Sequence, residues 1–525
     1  MGTQLFFFFF FSSTTSLKTT HFYSIRSFCK TTPYPDVCFD SLKLSISINI
    51  SPNIITYLLH TLQIAISESE KLSNLFFDAS WHFNIIEKQR GTIQDCKELH
   101  QITLSSLQRS VSRISAADRR KLADARAYLS AALTNKNTCL EGLDSASGPL
   151  KPVLVNSIID TYKHVSNSLS ILSSHEGARR GRTNRRLMGF PTWMSRKDRR
   201  IFESAYGDEY DQSQVLTVAA DGTGNFTTIT DAINFAPNNS YDHRTIIYVK
   251  QGVYDENVEI PTYKPNVVLL GDGSDVTLIT GNRSVDGWTT FSSATLAVSG
   301  DGFLARDISI ENRAGPNKNQ AVALRVNADL TAMYRCSING YQDTLYVHSF
   351  RQFYRECDVS GTIDFIFGNA AVVFQGCNIV ARMPLHGQFT VITAQSRDTL
   401  DEDTGISIQN CTIVPTDDLY TNSNRVKSYL GRPWRVFSRT VYLDSYIADF
   451  IDPTGWTQWS DEQALDTLYY GEYDNYGPGS STDGRVTWPG YHVMDYYDAS
   501  NFTVSEFITG DAWLDSTSFP YDDGI

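Results

Sequence analysis

Gln320-Ala-Val-Ala-Leu-Arg-Val326, Gln342-Asp-Thr-Leu-Tyr346 and Asp364-Phe-Ile-Phe-Gly-Asn369 decide how this 525-residue chain is read. Their first residues stand 22 apart, twice in succession. They lie among short runs rich in β-branched and aromatic residues, such as Thr245-Ile-Ile-Tyr-Val249, Asn266-Val-Val-Leu-Leu270, Ala294-Thr-Leu-Ala-Val298 and Ala371-Val-Val-Phe374, punctuated by Gly, Asn and Asp. No long helical stripe separates these runs, which argues against a βαβ sheet. A fixed repeat of short strands predicts a coil of constant circumference, in which residues one turn apart sit side by side about 4.8 Å from each other. The fold expected after Val215 is therefore all-β, a right-handed parallel β-helix.

Such a coil gathers Gln320, Gln342, Asp343 and Asp364 on one patch of rigid sheet. Most of the acidic residues in the chain read as solvated or capping groups, the run Asp401-Glu-Asp403 included. Asp343 and Asp364 differ because apolar sequence follows each of them, Thr344-Leu-Tyr346 and Phe365-Ile-Phe367. A carboxyl in such surroundings is costly without partners. Two neighbouring carboxyls cannot both ionise cheaply, so one is expected to remain an acid and the other an anion. That division suits ester cleavage: the anion attacks the carbonyl carbon and the acid protonates the departing alkoxide. The side-chain amides of Gln320 and Gln342 are candidate donors for the developing oxyanion. Leu430-Gly-Arg-Pro-Trp434 supplies Arg432, able to hold a carboxylate in a two-pronged grip, and Trp434, a flat face for a sugar ring. The competing reading of that stretch is an ordinary turn with a packed indole.

The first part of the chain is different. Residues 28–175 carry helical stripes, Leu104, Leu107, Val111 and Ile114, then Val155, Ile158, Tyr162, Val165, Leu169 and Leu172, so a small bundle is expected. The charge is also divided: residues 201–525 hold 43 acidic and 19 basic side chains, whereas the whole chain has a net charge of −13. So acidic a large domain excludes nucleic acid as its natural partner. Between the halves, residues 176–206 form a basic stretch that includes Arg179-Arg-Gly-Arg182 and Arg185-Arg-Leu-Met188, expected to be an exposed linker open to proteases. The apolar block Leu5–Phe11 has the length of a signal-peptide core and is too short to span a bilayer, so residues 1–20 read as a signal and the product as secreted. Eight cysteines without a CxxC pair read as disulfide partners rather than a zinc site, and six Asn-X-Ser/Thr sequons accord with secretion.

With these residues in view, 207–525 resembles a plant pectin methylesterase (pectinesterase) along nearly its whole length. The likeness runs through Gly252-Val-Tyr-Asp-Glu256, the three opening stretches, Leu430 to Trp434, Asp466-Thr-Leu-Tyr-Tyr-Gly-Glu472 and Arg485-Val-Thr-Trp-Pro-Gly-Tyr491. It implies a β-helix that removes methyl esters from the galacturonate units of pectin without metal or cofactor. By motif, it implies Asp364 as nucleophile, Asp343 as proton donor and later base, Gln342 as transition-state stabiliser and Gln320 as its helper. Arg432 and Trp434 would bind substrate, Arg432 also pairing with Asp364, and Thr290 in Trp288-Thr-Thr-Phe291 matches a substrate-contacting Thr. The resemblance further implies a Cys336–Cys357 disulfide, with Cys377–Cys411 as a second pair. The helical region resembles the pectin methylesterase inhibitor domain, a four-helix bundle, which implies Cys29–Cys38 and Cys96–Cys139. Arg185-Arg186 resembles the site at which such two-domain precursors are cut by a processing protease. The expected product is a monomeric, extracellular cell-wall enzyme whose helical domain restrains it until cleavage. Two other classes compete: a Ca²⁺-dependent polysaccharide lyase on the same kind of coil, and a non-enzymatic pectin-binding or inhibitor protein.

Overall fold

The computed structural model describes residues 25–43, 54–77, 85–116, 118–177, 215–460 and 464–525. The expected signal (residues 1–20) and the expected cleavage site Arg185-Arg186 lie outside the described residues.

Among the described residues the first domain has four long helices, Ile54–Phe77, Thr92–Ser115, Arg119–Ser145 and Lys151–Gly177, with the shorter Pro35–Lys43 ahead of them. Asp118 starts the third long helix, its carboxylate accepting from the backbone N–H groups of Arg120 and Lys121. The stripes face inward: Leu107, Ile114, Ile158, Tyr162, Val165, Leu169 and Leu172 are buried together, while Val155 is only partly covered and Leu154 takes the interior place beside it. Cys29–Cys38 and Cys96–Cys139 are disulfides, the second tying the helix Thr92–Ser115 to the helix Arg119–Ser145.

From Leu216 onward the chain winds into three parallel sheets of 11, 7 and 8 strands, the parallel β-helix expected from the repeat. A full turn contributes one strand to each sheet, and the end turns extend the largest sheet alone. Side chains therefore repeat coil by coil, and Ile310, Ile338, Val359, Ile379 and Ile413 form one continuous interior row. Such rows hold the fold together by burying apolar surface at roughly 25 cal/mol per Å². Around the functional motifs the turn is 21 residues rather than 22: Leu345 pairs with Leu324 on one side and Ile366 on the other. The sharp corners between sheets need left-handed backbone, and Asp343 (φ 61°) and Asp364 (φ 52°) occupy two of them.

The same register corrects one expectation. Cys336 and Cys357 do not form a disulfide, and neither do Cys377 and Cys411; all four are buried free thiols. Ser337, Asp358, Asn378 and Thr412 are paired in sequence across the sheet, so the cysteines preceding them line up in a single interior row. The thiols are neighbours along the row without being bonded covalently. Each thiol is directed to a carbonyl of the coil, Cys357 to Arg355 (3.3 Å) and Cys411 to Gln409 (3.2 Å) among them. The Sγ atoms of Cys377 and Cys411 also accept from the N–H groups of Cys357 and Cys377.

Candidate active site

The seven-stranded sheet carries the candidate site on its outer face. Leu324 and Val326, like Leu345 and Val347, point into the coil, so alternation turns Arg325 and Tyr346 outward. The pairing Arg325–Tyr346–Phe367–Ala394–Arg432 is thus one ladder running across five turns. At the corner just before the strands Leu345–Ser349 and Ile366–Gly368, the 21-residue register sets Asp343 level with Asp364, each two residues ahead of a paired position.

Asp364 is 4% exposed and is gripped from both sides of its carboxylate by Arg432, Nε donating at 2.8 Å and Nη2 at 2.6 Å. The Arg432 guanidinium is itself held flat, 4.1 Å above the Trp459 ring and 5.6 Å from Phe389. Burial pushes the Asp364 carboxyl up from the usual carboxylate range, and the bond and charge of Arg432 pull against that rise. Asp343 is pushed much higher, first by burial and then by the negative charge of Asp364, with Arg432 acting in the opposite sense. Both carboxyls are pushed up, Asp343 the further of the two, and of the pair Asp364 is the one bonded to the guanidinium, so their proton affinities are split. Among the described residues the side-chain amides of Gln320 and Gln342 have no hydrogen-bond partner in the protein. Both are partly exposed on the coils next to the aspartates.

An aromatic wall flanks these groups. Tyr346 stacks on Phe367 at 4.2 Å, Phe367 leans toward Trp434 at 6.0 Å, and Trp434 lies nearly parallel to Trp459 at 6.2 Å. Sequence reasoning assigned a role to Trp434 alone. Tyr346 and Phe367 stand inside the motifs, where they count only as apolar sequence following the aspartates. Trp459 carries no signal beyond being the second tryptophan of Trp456-Thr-Gln-Trp459, whose first member is buried while the second is 39% exposed. Thr290 lies at the edge of the same face, just before Phe291, and has no described contact with either aspartate. Two motif residues proved to be structural. Glu256 accepts from the N–H groups of Ile229 and Thr230 at a helix start, and Glu472 forms a sealed cluster with Arg485, Trp456 and Tyr491.

The helical domain lies against this face. From the helix Arg119–Ser145, Thr138 reaches the His348 Nε2 (2.9 Å) and the Tyr346 hydroxyl (3.4 Å), Asn137 reaches Asp398, and Glu141 pairs with Arg435. From the helix Thr92–Ser115, Asp95 accepts from the Thr289 and Ser292 hydroxyls, and Glu98 accepts from Ser299. Flanking ion pairs join Arg109 to Asp301 and Asp124 to Arg351. Tyr346, Phe367 and Phe291 are buried in one apolar cluster with the helices, and Trp434 packs against it.

Residues 215–511 match the family Pectinesterase, and residues 23–171 match Plant invertase/pectin methylesterase inhibitor. The chain belongs to the pectinesterase family. It is 68% identical over 516 residues to "Probable pectinesterase/pectinesterase inhibitor 12" of Arabidopsis thaliana, covering 96% of this chain and 94% of that one. It is 46% identical to the "Pectinesterase/pectinesterase inhibitor PPE8B" of Prunus persica over 82% of each. Among solved structures, the pectin methylesterase from carrot shares 51% identity at a TM-score of 0.58, covering 59% of this chain and 98% of its own. The pectin methylesterase from Aspergillus niger shares 34% identity at a TM-score of 0.51, again covering 59% and 98%. In both cases the solved chain is matched almost entirely, by little more than half of this one. The activity of this pectinesterase is carboxylic ester hydrolysis on pectin, and the lyase and non-enzymatic readings are not favoured.

Proposed function

We propose that this chain releases methanol from methyl-esterified pectin by an aspartyl esterase mechanism run by Asp364 and Asp343. The Asp364 carboxylate attacks the ester carbonyl carbon, and the resulting oxyanion is met by the amides of Gln342 and Gln320. Collapse breaks the bond to the methoxy oxygen, which takes the proton of Asp343 and leaves as methanol. A mixed anhydride of Asp364 and the galacturonate carboxyl remains. Asp343, now an anion, takes a proton from water as that water attacks the anhydride, and the free galacturonate and Asp364 are restored. Arg432 keeps Asp364 ionised and aimed, Trp434 supports a sugar ring, and Thr290 contacts the substrate at the groove edge. The observation that carries this reading is the two-pronged Arg432–Asp364 pair beside an Asp343 held as the acid. The test is methanol release from methylated pectin by purified residues 207–525 beside the Asp364→Asn variant; equal rates would end the mechanism.

The helical domain restrains the enzyme in the same chain. Its support is the seating of Thr138, Glu141 and Asp95 over the groove and its aromatic wall. Release follows cleavage near Arg185-Arg186, in a secreted, monomeric product of the cell wall. Support for secretion is the short apolar N-terminal block and the two disulfides. Equal specific activity of the intact and cut forms would remove the restraint.

A further inference from the structure

We propose that the buried pair Glu472–Arg485 is a positioning anchor for the arginine that grips Asp364: through Trp456 and Trp459 it sets the place and the plane of Arg432. The inference rests on the esterase reading above and adds to it two residues that touch neither substrate nor reacting atoms. Glu472 is structural in that sense, yet what it holds is the aim of the proposed nucleophile.

The contacts from anchor to nucleophile are continuous. Arg485 grips the buried Glu472 carboxylate with Nε at 2.9 Å and Nη2 at 3.1 Å. The same carboxylate accepts from Trp456 Nε1 at 3.1 Å and from the Tyr491 hydroxyl at 3.2 Å. Arg485 Nη1 also donates to the Pro453 carbonyl at 3.1 Å, and the Val486 N–H to the Thr454 carbonyl at 3.1 Å. The segment from Pro453 to Trp456 is therefore fastened at both ends. It runs beside the strand Ser428–Pro433 that bears Arg432. The Leu430 N–H donates to the Gly455 carbonyl at 2.7 Å, and the Thr457 N–H to the Gly431 carbonyl at 3.1 Å. The Trp456 ring packs against Gly431, where a Cβ would come 3.1 Å from the indole, so a residue without one lets the ring approach the neighbour of Arg432. Tyr470 stacks on that ring at 4.1 Å. Three residues further on, Trp459 lies 4.1 Å from the Arg432 guanidinium, which holds Asp364 by two bonds.

A buried ion pair is a weak source of stability, because desolvation offsets its Coulombic gain. What this one supplies is geometry: four donors converge on one carboxylate and leave the Trp456 indole a single place to sit. Arg432 needs such a support. A two-pronged grip demands a fixed guanidinium plane, whereas an unsupported arginine side chain samples many. Loosening the grip takes from Asp364 part of the charge that opposes its burial, so its carboxyl rises further.

The experiment uses the full chain, unaltered and as Glu472→Gln, Trp456→Phe and Glu256→Gln, with methanol release from methylated pectin followed against pH. Trp456→Phe cuts the tie to the anchor but leaves the ion pair whole, which guards against Glu472→Gln failing to fold. Glu256→Gln removes a carboxylate that serves a helix start and is the control. The groups that face Asp364 are Asp343, Arg432 and the Tyr470 hydroxyl, and the anchor variants loosen Arg432. In both anchor variants kcat falls about tenfold with KM little changed, and the acidic limb of kcat moves up by about half a pH unit or more, because Asp364 must be ionised to attack. Glu256→Gln keeps the limb of the unaltered chain. A second readout needs no turnover: modification of Arg432 by an arginine-directed dicarbonyl reagent, located by peptide mass, runs several-fold faster in the anchor variants than in the unaltered chain or the control. The inference is overturned if the anchor variants lose activity while the acidic limb and the reactivity of Arg432 stay unchanged, as a smaller folded fraction alone would produce. No methanol from the unaltered chain, intact or cut within residues 176–206, sinks the esterase reading itself, and the reactivity of Arg432 then decides the anchor alone.

Discussion

The two halves of this molecule bury similar side chains under different rules. In the helical domain a stripe of apolar residues needs only to face inward, and Leu154 is sealed there while its neighbour Val155 is half-covered. In the coil, a step of one residue moves a side chain from the sealed interior to the groove. Leu324 and Val326 are core, whereas Arg325 between them faces the helical domain. The helical domain can therefore be tuned by its surface, while the coil holds chemistry because its register leaves no slack. The predictions below test whether function follows that division.

The largest effect is expected in the coil. Asp364→Asn keeps the shape of the side chain and removes the proposed nucleophile, so methanol release should fall about a thousandfold or more with circular dichroism unchanged. Retained activity would mean that register does not carry the chemistry. Gln342→Ala should lower kcat about a hundredfold, with a smaller change in KM, as expected for a donor to the oxyanion. A loss confined to KM would move Gln342 from transition-state stabiliser to substrate contact.

Changes in the helical domain should act in the opposite direction. Thr138→Arg forces a charge against Tyr346 and His348, and should raise kcat/KM of the intact chain about tenfold or more by unseating the helix. A fall would show that the helical domain supports the groove instead of covering it.

The contact should also respond to pH. Burial between the domains raises the Asp95 carboxyl to about 7, against the opposing pull of the Ser292 and Thr289 hydroxyls. A carboxyl raised in the docked state binds best when protonated. Its contribution is thus complete below the ordinary carboxylate value, near about 4, and is lost as pH rises through about 7. The activity of the separated enzyme relative to the intact chain should be greatest in acid and shrink toward neutrality. Asp95→Asn should flatten that trend, and a trend of the reverse sign would show that Asp95 docks as an anion.

The smallest effect belongs to the thiol row. Denatured, unreduced chain should titrate four free thiols, and Cys357→Ser should cost roughly 1 kcal/mol of stability in urea, well short of the 2–5 kcal/mol that follows loss of a native disulfide. Fewer than four thiols would restore the pairing that the resemblance implied.

The sequence by itself determined the coil and the bundle, and it singled out the residues proposed as reacting groups. Short strands at constant spacing leave few architectures open, and a carboxyl followed by Phe365-Ile-Phe367 has to be buried with a purpose. It also determined the pairing of Cys29 with Cys38 and of Cys96 with Cys139 through the inhibitor-domain resemblance. What it could not determine is which neighbour each side chain meets. Spacing suggested a turn of 22 residues, whereas the strands pair at 21, and that single residue is why Asp343 rather than Gln342 stands level with Asp364. The same limit hid the row of free thiols, because proximity in a coil does not by itself make a disulfide. Trp459 and Phe389 reach Arg432 from loops whose path depends on distant packing, and Glu98 meets Arg325 across a contact between domains. Periodicity is a local property of the chain and survives in its one-dimensional record; partners across turns and domains are set by three-dimensional register, which only the folded molecule contains.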